Sequence, residues 1–355
     1  MHKKLFIPGP TEVREEVLAK LSTPQIGHRA KEFEALFASI VPKIQTVLYT
    51  KNKIILSTSS GTGLMEAAIR NFIKKRVLAT VNGAFSERWW KMVSENGKEG
   101  DTINIEWGKH VPTEQIDKAL ASGKYDSLFY THNETSTGVM NPIEELAKVM
   151  KKYPDVVWCV DAVSSMGGYL FKVDELGVDF ILASTQKAWA LPSGLAIAAI
   201  TEKAINRAKE VPGRGFYFDV ISLLKYAEKN QTPTTPAIPH LYALDFQLDR
   251  ILAEGMENRY KRHLEMAKYT REWVKKYFAL FPEPGYDSVT LTAATNTRGI
   301  SVADLNKELG KRYKTISNGY GDLKEKTFRI AHMGDLTLDE IKEVLKDIEE
   351  ILKLS

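Results

Sequence analysis

Short, almost uninterrupted apolar runs recur through the first two hundred residues, separated for the most part by stretches of helical periodicity. The runs fall at 54–58, 77–81, 102–106, 127–131, 156–160, 179–183 and 195–200. A strand with one wet face alternates apolar and polar residues, whereas a strand buried on both faces reads as a continuous apolar run. Between the runs, "TGLMEAAIRNFIKK" places apolar side chains at 64, 65, 68, 69, 72 and 73, the spacing of a helix face. "NPIEELAKVMKKYPD" opens with Asn141 as its expected cap and Pro142 in its first turn, and stops before Pro154. This order predicts an α/β fold with a mostly parallel central sheet covered on both faces.

The pattern changes after about residue 201. Helical periodicity dominates from about 238 to 278. The last segments mix short strands, in "SVTLTAA" and "TFRIAHM", with two amphipathic helices. The final helix opens on "TLDE", where Thr337 and Glu340 have capping-box spacing. At 355 residues the chain is long for one compact core. We therefore expect a short N-terminal segment (1–15), a large domain (16–250) and a smaller α+β C-terminal domain (251–355).

Composition narrows the class. Forty-nine basic and 45 acidic side chains leave a net charge of +4, which gives no reason to expect a nucleic-acid or membrane partner. No apolar stretch approaches the roughly 20 residues of a membrane helix, and the run before Pro8 is too short for a secretory leader, so a cytoplasmic protein is expected. The single cysteine, Cys159, excludes an intrachain disulfide, and its place in "VVWCV" predicts an inert buried thiol. The histidines show no ligand spacing, and no metal site is expected.

Three motifs could carry chemistry. In "STSSGTGLMEAA" a strand passes through a Ser/Gly turn into a helix N-terminus. That is either an anion site suited to phosphate or only a tight connection. In "WCVDAVSSMGG" Asp161 ends a strongly apolar strand, at the sheet edge where open α/β folds bind ligands. It either caps the following turn or meets a cationic heterocycle. In "DFILASTQKAWALPSG" Lys187 stands between two apolar runs, with Gln186 before it and Trp189 after it. A solvated loop lysine is the common outcome. A desolvated one has a lowered pKa and a nucleophilic amine, suited to a Schiff base. Taken together, a phosphate cradle, a carboxylate for a pyridinium nitrogen and a Schiff-base lysine are what pyridoxal 5'-phosphate requires. Phe85, in "VNGAFSERWW", offers an aromatic face for its ring.

The motifs "PGPTEV", "GHRAKEFEALF", "SSGTGLMEAA", "NGAFSERW", "THNETSTGV", "VDAVSSMGG", "STQKAWALPSG" and "FRIAHMGDL" occur in that order. The chain resembles the class V aminotransferases, in particular the alanine–glyoxylate and serine–pyruvate group. The resemblance implies a fold-type-I pyridoxal-phosphate transferase, a homodimer with shared active sites. It assigns Lys187 to the Schiff base, Asp161 to the pyridine nitrogen, Phe85 to the ring face and Thr135 to the ring hydroxyl. Ser60, Gly61, Thr62 and Gln186 would hold the phosphate, joined by Thr232 and Thr235 from the neighbouring subunit. Many relatives carry tyrosine where Thr232 stands. Arg329 corresponds to the arginine that holds the substrate α-carboxylate, and Lys187 would move the α-proton in a ping-pong transamination.

Substrate choice is less legible. The segments around Gly9 and around His28 and Arg29 resemble substrate-proximal loops. Phosphoserine aminotransferases use a His-Arg pair on the substrate phosphate, so Arg29 either reads a second anion or holds its own loop through backbone carbonyls. The expected reaction moves an amino group from serine or alanine to pyruvate or glyoxylate, with phosphoserine aminotransferase as the alternative. A cysteine desulfurase is disfavoured, because Cys159 lies on a buried strand rather than a mobile loop.

Overall fold

The structure is a computed structural model and describes residues 2–354. Its strands are β1 Lys4–Phe6, β2 Lys53–Ser57, β3 Val77–Val81, β4 Gly100–Asn104, β5 Ser127–Thr131, β6 Asn133–Glu134, β7 Val139–Met140, β8 Val157–Asp161, β9 Phe180–Ser184, β10 Ala196–Ile200, β11 Ala279–Leu280, β12 Leu291–Thr295, β13 Lys314–Asn318 and β14 Thr327–Ala331. The large sheet has the order β2-β10-β9-β8-β5-β3-β4. All its pairings are parallel except those of β10, which runs antiparallel to both β2 and β9. The two apolar runs that bracket Lys187 are thus neighbouring strands of opposite direction.

Continuous apolar runs arise because this sheet is covered twice. One face packs Leu128, Tyr130, Trp158, Val160 and Ile181 into one core. The alternate residues Phe129, Val157, Cys159, Phe180 and Leu182 enter another. Burying roughly 1.5–3 kcal/mol per large apolar side chain on each face fixes the register, since a one-residue slip would exchange the two sets. Cys159 is fully buried, and burial pushes its thiol well above the ordinary range, as expected of an inert position.

Two local expectations are corrected, the Asn141 cap and the bounds of β4. Asn141 does not cap the Ile143–Met150 helix; Pro142 occupies that position, with no side-chain cap. The Asn141 amide instead donates to the Thr131 carbonyl, and its oxygen accepts from Val111 and Asn82, tying loops together below the sheet edge. The periodic stretch 238–278 is two helices, Ile238–Glu254 and Met256–Tyr277, broken at Gly255 with φ of 79°. The edge strand β4 begins two residues earlier than its apolar pattern suggests and is only half-buried. The capping box at Thr337 and Glu340 forms with both of its hydrogen bonds.

A second sheet has the order β1-β13-β14-β12-β11. Its core joins Phe6 to Phe328, Ile330 and the apolar face of the Leu338–Leu352 helix. Because β1 pairs with β13, the chain starts in this sheet and then passes over the large one. No helix among the described residues is long and apolar enough to cross a membrane.

Candidate active site

Sheet order brings the motifs together. Strands β8 and β9 are parallel neighbours, so Asp161, at the end of β8, lies beside the loop that follows β9 and carries Lys187. Ala196 of β10 pairs with both Ser57 and Ser184, so the turn after β2 opens at the same edge. Thr131 of β5 pairs with Asp161, which delivers Asn133 and Thr135. A cavity of about 260 Å3 forms there, lined by Ser60, Gly61, Thr62, Phe85, Thr135, Asp161, Gln186 and Lys187, all predicted from sequence. A larger and more open hollow between Pro42, Tyr49 and Glu257 gathers no comparable set of groups.

Both titratable groups are buried and shifted toward neutrality. Burial pushes the Asp161 carboxyl up to about 7; the Val163 N–H, donating to Oδ1 at 2.8 Å, opposes this, and the nearby Glu134 adds to it. Burial likewise pushes the Lys187 ammonium down to about 8, with Arg329 adding to the effect and Asp161 opposing it. The amine donates to the Pro8 carbonyl. The N-terminal segment also clamps this loop: Thr11 N–H donates to the Gln186 carbonyl and its hydroxyl to the Lys187 carbonyl, both at 3.0 Å. A Cβ on Gly9, where φ is +127°, would lie 2.6 Å from Lys187 Nζ. Only glycine lets the strap approach so closely.

The remaining predicted residues lie around the cavity or apart from it. Arg329, on β14, is buried and donates to the carbonyls of Thr135 (3.1 Å) and Asn318 (3.0 Å); burial pushes its guanidinium down to about 10. The Thr135 hydroxyl meets Ser164 Oγ at 2.5 Å. Arg29 is outside the cavity and donates to Gln231 Oε1 and to the carbonyls of Thr232 and Pro233, so it ties its own loop to the 231–233 segment. His28 sits beside it on that loop. Within the single chain Thr232 is buried, its hydroxyl bonded to the Thr234 carbonyl, while Thr235 is exposed.

Sequence reasoning missed several groups. Arg88 lines the cavity, lies 4.8 Å from the Phe85 ring centroid and donates to the Tyr320 hydroxyl at 3.0 Å. Its spacing of three from Phe85 on one helix was a usable signal. Asn133, Ser164 and Ser184 also line the cavity. Arg259 is buried behind the lysine loop and donates at 2.8 Å to the carbonyls of Gly167 and Ala188, held in turn by Glu254 and Asp335. Nothing local in the sequence marks it.

These residues fit pyridoxal 5'-phosphate. The Gly61 N–H, at a helix N-terminus, finds only a 3.3 Å contact with Ser184 Oγ, so this cradle is open to an anion. A Cβ on Gly61 would meet Val163 at 2.7 Å, so the cradle admits no side chain there. Asn133 leaves both polar atoms of a buried amide without a partner at the cavity wall.

Comparison with known proteins agrees with the geometry. A family model described as aminotransferase class-V matches residues 8–319. An uncharacterized aminotransferase of Methanocaldococcus jannaschii is 39% identical, covering 99% of this chain and 93% of its own. A serine–glyoxylate aminotransferase of Methylorubrum extorquens is 33% identical, covering 94% and 86%. The crystal structure of an alanine–glyoxylate aminotransferase from Nostoc sp. superimposes with a TM-score of 0.94 at 27% identity, covering 99% and 96%.

Proposed function

The chain belongs to the class-V aminotransferases, and from that premise we propose that it moves an amino group from serine or alanine to pyruvate or glyoxylate. The observation that carries this reading is the meeting of Lys187 and Asp161 in one buried cavity beside the Ser60–Thr62 turn. Pyridoxal phosphate, when bound, supplies a ring that disperses the charge left by a departing α-proton. The Ser60, Gly61 and Thr62 turn and Gln186 would hold its phosphate, Phe85 its ring face, Thr135 its hydroxyl and Asp161 its ring nitrogen.

The chain's own groups do the rest. Asp161, ionised opposite a cationic nitrogen, keeps that nitrogen protonated. Lys187, with its amine near neutrality at about 8, takes a proton from the substrate α-carbon and returns it as an acid. Arg329 would hold the α-carboxylate, its planar fork matching two oxygens. The Pro8–Thr11 strap covers the lysine and excludes water from its amine.

A homodimer in the cytoplasm completes the proposal, with Thr232 and Thr235 reaching the partner's phosphate and His28, Arg29 and Gly9 near the substrate. Arg29's bonds to the Thr232 and Pro233 carbonyls favour a loop-holding role for it, and so weigh against phosphoserine. The test is to offer serine, alanine, phosphoserine and aspartate, each with pyruvate, glyoxylate and 2-oxoglutarate. Serine or alanine with glyoxylate or pyruvate should give the highest kcat/KM. Preference for phosphoserine, lost in Arg29→Ala alone, would overturn this assignment.

A further inference from the structure

The turn that carries Lys187 is held from outside at successive peptide carbonyls. Thr11 takes those of Gln186 and Lys187. Arg259 Nη2 donates to the Ala188 carbonyl at 2.8 Å, and Gln247 Nε2 donates to the Trp189 carbonyl at 3.1 Å. Asp335 joins these two donors: its Oδ1 accepts from Arg259 Nη1 at 3.1 Å and its Oδ2 from Gln247 Nε2 at 3.0 Å. The result is a closed ring of hydrogen bonds behind the lysine, and both Arg259 and Gln247 are buried.

The turn requires such a hold. Ala190 closes it, its N–H donating to the Lys187 carbonyl at 2.9 Å, and has a φ of 54°. That left-handed conformation is unfavourable for any residue with a Cβ, and it persists only where surrounding contacts over-determine it. The same guanidinium also reaches the loop that follows Asp161, where Nε donates to the Gly167 carbonyl at 2.8 Å. The two loops touch there: a Cβ on Gly167 would lie 3.1 Å from the Ala188 carbonyl carbon. Arg259 therefore sets the lysine turn against the loop of Asp161, and Asp335 ties both to the chain that follows β14 and Arg329.

We propose that Arg259 and Gln247 are positioning residues for the Lys187 amine. Through the Ala188 and Trp189 carbonyls they hold the lysine turn in its left-handed form and so fix where the amine points relative to Asp161. Both stand behind the turn rather than at the cavity wall, so they act through the backbone. A misplacement of about 1 Å can cost a reacting group roughly a hundredfold in rate. A planar guanidinium fork can hold two carbonyls at a fixed spacing, which an ammonium cannot. The inference rests on the reading of Lys187 as the Schiff-base lysine.

The experiment uses the full-length protein and its Arg259→Lys and Gln247→Met variants. Lysine keeps the charge opposite Glu254 and Asp335 but loses the fork, and methionine removes the amide donors at similar length. Stopped-flow absorbance follows the rate at which cofactor-free protein forms its Schiff base with pyridoxal phosphate. Equilibrium dialysis gives the affinity for pyridoxine 5'-phosphate, which shares the phosphate and ring but has no aldehyde. The thermal midpoint of each variant is recorded alongside. Each variant should form the Schiff base roughly tenfold or more slowly, about 1.4 kcal/mol of barrier, and bind pyridoxine phosphate within about twofold of wild type. In turnover kcat should fall by a similar factor while KM for serine holds. The inference is overturned if either folded variant forms the Schiff base within about twofold of wild type and only its midpoint falls, as a purely structural bond would give. It is overturned equally if pyridoxine phosphate affinity falls in step with the rate, because the whole cavity has then moved. Should Arg259→Lys not fold, Gln247→Met, which changes a neutral side chain, decides alone. Wild-type protein that forms no Schiff base, or forms it on an amine other than Lys187, would instead overturn the reading of Lys187.

Discussion

Replacing Asp161 by Asn should strengthen the cofactor-free protein and weaken its hold on the cofactor. The carboxyl is 4% exposed, and burial raises it from 3.8 to about 7. A carboxyl raised on folding binds its proton more tightly in the folded state than in the unfolded one. The cost of ionising it in place is therefore absent below about pH 3.8, grows across the interval and is complete above about pH 7. At about 1.4 kcal/mol per tenfold change in proton affinity, the full cost is roughly 4 kcal/mol at pH 8.5 and roughly 2 kcal/mol at pH 5. Asparagine has the same shape, keeps an oxygen for the Val163 N–H and cannot ionise. Urea unfolding of the cofactor-free variant should thus show a gain of roughly 4 kcal/mol at pH 8.5 and about half that at pH 5. A gain under about 1 kcal/mol at pH 8.5, or one that does not change with pH, refutes the burial argument. In the same variant, equilibrium dialysis should show weaker uptake of pyridoxal phosphate, because the ring nitrogen has lost its carboxylate. Undiminished uptake would remove Asp161 from that role.

Lys187→Ala should abolish the covalent adduct that borohydride fixes on wild-type protein incubated with pyridoxal phosphate, as read by intact mass, and transaminase turnover with it. A persistent adduct would place the Schiff base on another amine. Arg329→Gln should raise KM for amino and oxo substrates roughly tenfold or more, the worth of a charge-assisted bond to a carboxylate, and initial-rate kinetics would show an unchanged KM if the arginine only braces the Thr135 carbonyl. Gly61→Ala forces a Cβ against Val163 at 2.7 Å, so the cofactor-free protein should lose roughly 1–3 kcal/mol in urea unfolding and bind pyridoxal phosphate less tightly.

Local patterns told most about elements whose two faces are buried. Strands β3 and β5 match their predicted bounds, and β8, β9 and β10 begin one residue later than their apolar runs. The half-buried edge strand β4 was the least well placed, because its polar residues carry little of the burial signal. Asn141 misled because its side chain had stronger partners in tertiary contacts than in the helix N–H groups it preceded.

The sequence by itself supplied the candidate groups. Lys187, Asp161 and the Ser60–Thr62 turn each follow an apolar run; each alone had a plain structural alternative, and it was their combination, legible in the chain, that pointed to pyridoxal phosphate. What only the tertiary structure decided was which groups meet. The order β2-β10-β9-β8-β5-β3-β4 sets β8 beside β9 and returns β2 to the same edge through the reversed β10, and no local pattern encodes that order. Asn133 and Arg259 became visible only then. Their importance lies in the hydrogen bonds they make or leave unmade across the fold, and those partners are fixed by packing of segments distant in the chain.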